Sequence, residues 1–222
     1  LFEPSTIEAI GRPLVRLLEV ASADPHQPIG HIDILEPEER QQILVEWHDT
    51  ACEVSDTTLP ALFAAKVARS PEATALVFEE STLSYAELNA QANRLAHLLI
   101  GRGVGPETLV ALAMPRSAEM IIALLGILKA GAAYLPLDPE YPVERLSYML
   151  GDAQPACVLT SARIAERLRP PEGVAQLLLD HPDTVGALAQ SPERNPSDAE
   201  RTGSLSTHTP AYVIYTSGST GL

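Results

Sequence analysis

Cysteine, basic charge and long apolar runs are all in short supply along these 222 residues. The two cysteines, Cys52 and Cys157, stand far apart without the ligand spacing of a zinc site, so both read as idle or buried thiols. Against 29 Asp and Glu there are only 15 Lys and Arg, a formal net charge of -14. That balance argues against nonspecific binding to nucleic acid or to an anionic membrane, since both need basic surface. An anionic ligand must then be held by local donors. No basic-then-apolar leader opens the chain, and its most apolar run, Met120 to Leu128, is too short to cross a bilayer, so the expected setting is cytoplasmic. Also missing is any Gly-Lys-Ser or Gly-Lys-Thr, the signature of the common phosphate loop. The cluster Gly101-Arg102-Gly103-Val104-Gly105 follows a helical pattern and precedes a strand, the reverse of a dinucleotide fingerprint, and reads as a helix stop and turn. The first residue is Leu1 rather than Met and the last residues halt inside a motif, so the expectation is a piece of a longer chain.

What is present is an ordinary globular composition, 45% hydrophobic and 20% charged, enough for one large or two small domains. Ser5-Thr6-Ile7-Glu8 has the form of a capping box, and Ile10, Leu14, Leu17 and Leu18 recur at helical spacing to about Val20, an amphipathic helix without a visible partner. Pro25, Pro28 and Gly30 then mark a linker. Ile32 and Ile34 alternate like a short strand, and Glu36-Pro37-Glu38-Glu39 opens a helix expected to run to Trp47, which reads as a packing residue at the end of an apolar stripe.

Thr58-Leu59-Pro60 begins the next helix, stopped at Ser70-Pro71. Ala75 to Phe78 and Thr82-Leu83 pair as a hairpin. Leu83-Ser84-Tyr85-Ala86-Glu87-Leu88 is the sharpest local signal: Ser84 caps, Glu87 reaches back, and the helix that follows puts Leu88, Ala92, Leu95 and Leu99 on one face and Asn89, Asn93 and His97 on or near the other. Thr108 to Ala113 reads as a buried strand, followed by a helix through Met120 and Leu128. Lys129 closes that helix at its negative end, Gly131 caps it, and Ala133 to Leu135 forms a strand cut off by Pro136. A helix from Pro142 to about Leu150, strands at Cys157 to Thr160 and Gln176 to Leu179, and a short helix near Ile164 continue the alternation, which implies a largely parallel sheet covered by helices. His181 to Thr209 reads as a long surface connection.

The connection delivers the chain to a β-type run, Ala211 to Tyr215, and then to Thr216-Ser217-Gly218-Ser219-Thr220-Gly221. Backbone N–H groups converge on an anion where no Cβ blocks the approach, the role of Gly218 and Gly221, while the hydroxyls add neutral donors. The same composition suits a flexible linker, and the apolar run before it favours the phosphate cradle. In an open parallel sheet, ligands sit beyond the carboxyl ends of the strands, where this loop falls.

These stretches resemble, in order, the first three core motifs of the amino-acid adenylation domains of nonribosomal peptide synthetases: Leu83 to Leu88, Leu128 to Pro139 and Tyr215 to Gly221. Tyr141 to Leu146, the segment Ile32 to Thr50 with Glu39, Arg40 and Trp47, and the opening helix are similar to the condensation-domain tail and linker of the same family. The resemblance implies an α/β fold, part of the large subdomain of an adenylate-forming enzyme with a mostly parallel sheet flanked by helices. It implies a division into 1–22, the end of a condensation domain; 23–52, a linker; and 53–222, the N-terminal part of an adenylation domain. The implied activity joins an amino acid to ATP as an aminoacyl adenylate and passes the acyl group to a carrier-protein phosphopantetheine thiol, with Mg2+ as the metal. Thr216, Ser217, Gly218, Ser219, Thr220 and Gly221 would bind the ATP phosphates. The catalytic lysine, the metal-binding acid and the selecting pocket belong to later motifs, so the resemblance assigns no catalytic or metal residue here and implies that this stretch alone is inactive. The implied partners are the amino acid, an upstream condensation domain and a downstream carrier domain. An acyl or aryl acid activating ligase of the same superfamily, or a noncatalytic interdomain platform, is the alternative.

Overall fold

The computed structural model describes residues 2–216, which divide into two compact units between Ser55 and Asp56. In the first unit, α1 spans Pro4–Ala23. The capping box read at Ser5 to Glu8 does not form: Pro4 takes the first helical position, where its fixed φ and missing N–H cost nothing, and no side chain caps the end. The apolar face of α1 stays open, with Ile7, Ile10, Leu14 and Leu18 all exposed. Ile32 and Ile34 do not make a strand. A 3-10 turn, Ile29–His31, precedes them, the Asp33 carbonyl accepts from Arg16 Nε at 2.7 Å, and the Asp33 carboxylate turns the chain by accepting from Leu35 N–H. A short helix, α2 (Pro37–Gln41), widens into a π turn at Gln42–Glu46. The extra residue shifts the helical phase, and Trp47, expected to pack, is 65% exposed alongside Leu44 and Val45. Arg16 lies 3.4 Å from Glu36 and Arg40 3.7 Å from Asp33, exposed pairs each contributing at most about 1 kcal/mol.

The second unit opens with α3 (Leu59–Arg69), capped by Thr58, whose hydroxyl accepts from Ala61 N–H. Strands β1 (Thr74–Phe78) and β2 (Ser81–Ser84) form the expected antiparallel hairpin. Helix α4 (Tyr85–Ile100) starts with both halves of its capping box in place, Ser84 accepting from Glu87 N–H and Glu87 accepting from Ser84 N–H. Then β3 (Leu109–Ala113), α5 (Ala118–Ala130), β4 (Ala133–Pro136), α6 (Val143–Ala153), β5 (Cys157–Thr160), α7 (Ala162–Ala165) and β6 (Ala175–Leu178) alternate as the pattern required. The four strands of this sheet are parallel throughout, in the order β4-β3-β5-β6.

Side chains of a strand alternate between faces, and the two faces of β3 build two cores. Val110 and Leu112, with Leu159 and Leu177, pack against Leu95 and Leu99 of α4 and Ile127 of α5. Ala111 and Ala113, with Leu135 and Val158, pack against Leu146, Met149 and Leu150 of α6 and Ile164 of α7. Each fully buried Leu or Ile side chain removes enough apolar surface from water to stabilise the fold by about 1.5 to 3 kcal/mol. Two glycines make this packing possible. Gly126 of α5 lets Leu95 approach so closely that a Cβ would lie 2.8 Å from its Cδ2, and Gly131 ends α5 at φ 97°, with Pro106 against it.

Two further expectations change. The stretch from His181 is not all connection: Pro182–Gln190 forms α8, with Pro182 at its start and His181 accepting from Asp183 N–H. Ala211 to Tyr215 runs beside β4 as an extended segment with a single parallel bridge, Tyr212 to Tyr134, rather than as a full strand. Only its β4 side offers backbone partners among the described residues: Tyr134 N–H donates to Ala211 O at 3.1 Å and Val213 N–H to Tyr134 O at 3.0 Å.

Candidate functional site

The bridge between Tyr212 and Tyr134 is parallel, so the segment travels in the direction of the sheet strands, toward their carboxyl ends. Beyond the ends of β3 and β4 lies an open cleft of about 660 Å³. Its lining is mixed: Leu112, Met114, Met120, Leu124 and Tyr134 are apolar or aromatic, Arg116, Arg163 and Arg167 basic, and Asp138 and Glu140 acidic. Here the chain just past each strand is free of ladder hydrogen bonds and can meet a ligand.

Of the six loop residues singled out in the sequence, Thr216 is described and exposed, and Ser217, Gly218, Ser219, Thr220 and Gly221 lie outside the described residues. The approach to Thr216 is fixed by its predecessor. The Tyr215 hydroxyl donates to Asp152 Oδ2, with Met149 O 3.4 Å away, and its ring stands edge-on to Tyr148. Burial, reinforced by the hydrogen bond to Asp152, pushes the Tyr215 hydroxyl up to about 12, so it is a protonated donor across the neutral range. Nothing in the local sequence marks Asp152 as its partner.

On the other side of the sheet, the polar face of α4 is covered by a later part of the chain. Residues 193–201 cover it: Asn93 donates to Glu193 O, Arg94 pairs with Glu193, and His97 lies 3.0 Å from Arg194 O. Arg194 grips Glu200 and holds its carboxyl well below the usual carboxylate range. Lys129, read as closing α5 at its negative end, turns inward and is almost fully buried. Its ammonium donates to Asn89 Oδ1 at 2.8 Å and Asn195 Oδ1 at 2.7 Å, 5.5 Å from the Phe63 ring centroid. Burial, and then the Arg201 guanidinium, lower it to about 8. Arg201 in turn donates to Lys129 O at 2.9 Å, so the clasp closes on both ends of the same residue. Cys157 is buried and its thiol is pushed up to about 11 by that burial, while Cys52 is exposed.

Among the described residues, no group of three or more His, Cys, Asp or Glu side chains is placed to hold a metal. No described helix is long and apolar enough to cross a membrane.

A parallel sheet with helices on both faces, a cleft at its carboxyl edge and an edge segment directed toward that end are the frame of an adenylate-forming fold. Residues 63–222 match the family of AMP-binding enzymes, and the chain belongs to that family. It is 49% identical over 222 residues to a dimodular nonribosomal peptide synthase of Bacillus subtilis and 43% identical over 227 residues to tyrocidine synthase 3 of Brevibacillus parabrevis. All of this chain takes part in each match, which covers 9% and 3% of those proteins. The chain thus spans a small part of the length of these relatives. Among solved structures, the crystal structure of the nonribosomal peptide synthetase FmoA3 superposes with a TM-score of 0.72 and 32% identity, over 97% of this chain and 22% of that one. A form of the same protein bound to alpha-methyl-L-serine-AMP gives 0.71 and 30%, over 98% of this chain and 24% of that one.

Proposed function

We propose that this chain is the N-terminal part of an adenylation domain in a nonribosomal peptide synthetase module, preceded by the end of a condensation domain (1–22) and a linker (23–52). The intact domain joins an amino acid to ATP: a carboxylate oxygen attacks the α-phosphorus, the bond to the β-phosphate oxygen breaks, and pyrophosphate leaves. The aminoacyl group then passes to the phosphopantetheine thiol of a downstream carrier domain, in a cytoplasmic setting. The observation that carries this reading is the segment Ala211 to Thr216, laid parallel to β4 and directed toward the carboxyl edge of the sheet. Thr216, Ser217, Gly218, Ser219, Thr220 and Gly221 are the phosphate-binding loop, a run whose hydroxyl and backbone N–H donors suit oxygens that carry the charge. ATP brings the activated phosphate; this chain's part is to hold and orient it. Mg2+ would accompany the ATP phosphates in the intact domain and offset their charge.

The test is ATP-pyrophosphate exchange by the intact adenylating protein, assayed across the common amino acids and a set of aryl and fatty acids. Exchange driven by one or a few amino acids is the expected result, with none from the 222-residue chain alone. Exchange driven only by an aryl or fatty acid would assign the protein to the acid-activating ligases instead.

A further inference from the structure

Asp152 sits in the last turn of α6, where its charge faces the negative end of the helix dipole and no basic residue offsets it. An acid in that place is unfavourable unless something engages it. Its partner is the Tyr215 hydroxyl, which donates to Asp152 Oδ2. The Tyr215 ring is half-buried against the core beneath α6 and 6.3 Å from the Tyr148 ring centroid. Three residues earlier, the same segment is fixed on a different element: Tyr212 bridges Tyr134, their ring centroids 5.7 Å apart. Between the two anchors, Val213 and Ile214 are 41% and 57% exposed. The chain is therefore held once through its backbone and once through a side chain, and Thr216 is the next residue.

We propose that Asp152, acting through the Tyr215 hydroxyl, is a positioning residue for the phosphate-binding loop that begins at Thr216; this rests on the adenylation reading. A backbone bridge at Tyr212 fixes where the segment lies but leaves the torsions of the following residues free. Anchoring the far end of the Tyr215 side chain removes that freedom, and with it the uncertainty in the direction from which the chain enters Thr216. Backbone donors serve an anion only when they are aimed before it arrives, because aiming them afterwards costs conformational entropy. Neither Asp152 nor Tyr215 contacts reacting atoms in this proposal. Their loss falls on ATP binding and leaves amino acid binding alone.

The experiment uses the intact adenylating protein and the variants Asp152→Ala, Tyr215→Phe and the pair together, with pyrophosphate exchange measured against ATP and against the amino acid. Asp152 is exposed and opposes the dipole, so Asp152→Ala leaves folding intact, and Tyr215→Phe keeps the packed ring. The expected result is a roughly three- to tenfold rise in KM for ATP in each single variant, the size of one partly exposed charge-assisted hydrogen bond. The double variant is no worse than either single, because one bond is lost in all three. KM for the amino acid stays unchanged and Asp152→Glu restores most of the loss. Wild-type KM for ATP in both single variants, effects that multiply in the double, or an equal rise for both substrates would overturn the proposal while the adenylation reading stands. A wild-type protein that shows no exchange at all would overturn both.

Discussion

Gly126→Ala separates helix propensity from packing on the face where α4 meets α5. In isolation, alanine favours a helix interior over glycine by about 1 kcal/mol. At Gly126 the new Cβ would lie 2.8 Å from Leu95 Cδ2, 2.9 Å from Cγ and 3.0 Å from Cβ, against an ordinary carbon separation of about 3.5 to 4.0 Å. Leu95 Cδ2 can swing aside, but its Cβ is fixed to α4, so the helices must part by several tenths of an ångström. Overpacking of this kind costs about 1 to 3 kcal/mol, and the net effect is destabilisation by about 1 kcal/mol. Gly151 in α6 supplies the control, since a Cβ there meets nothing within 4 Å and Gly151→Ala should stabilise its helix. Hydrogen exchange of α4, α5 and α6 amides, followed by mass spectrometry, reads both local opening energies in one protein. In a Leu95→Ala background, itself costing about 2 to 5 kcal/mol, Gly126→Ala should turn stabilising. If Gly126→Ala matches Gly151→Ala in sign and size, or adds independently to Leu95→Ala, the close approach is wrong.

Two other outcomes follow from buried groups. Lys129 binds its proton less tightly when folded, at about 8 against 10.5, so between those values the unfolded chain holds a proton the folded one lacks and stability rises with pH by about 3 kcal/mol. Lys129→Met removes that rise, and subtracting its urea-melt stabilities from wild type cancels the opposite loss from Cys157, whose pKa is raised; a difference flat from pH 8 to 10.5 would refute the buried ammonium. Gly131→Ala combines φ 97° with a Cβ 2.9 Å from Pro106 Cδ and should cost about 2 to 3 kcal/mol, whereas Gly103→Ala, at φ 83° with nothing within 4 Å, should cost about 1; equal losses by melting would mean that Pro106 does not press on the cap.

The parts of the fold legible in the sequence are those whose causes are local. The capping box at Ser84 and Glu87 involves neighbours three residues apart, and the apolar run of β3 reports burial on both faces without naming a partner. What stayed hidden is nonlocal. Asn93 and His97 have the periodicity of a solvent-facing stripe, and nothing near them in the chain tells that residues 193–201, about a hundred positions later, supply their partners. Lys129 fits the rule that cations close helices, and the rule holds until Asn89 and Asn195 offer oxygens inside. Helix α8 was obscured differently: its proline and aspartate are start signals, but Pro182, Asp183, Thr184 and Gly186 in so short a stretch read equally as loop.

The candidate site divides along the same line. The glycines and hydroxyls after Tyr215 stand out by composition, as the donors and room that the proposed phosphate site calls for. Asp152 does not stand out, since one acid among 29 has no pattern. Yet a signal was available: Asp152 violates the charge preference of its own helix end, and α6 has no basic residue in its last turn to excuse it. A locally unfavourable residue must be held by something distant or serve something other than its helix. Here both hold in the proposed reading. Tyr215 comes 63 positions later to engage it, and that contact lies one residue before the proposed phosphate-binding loop.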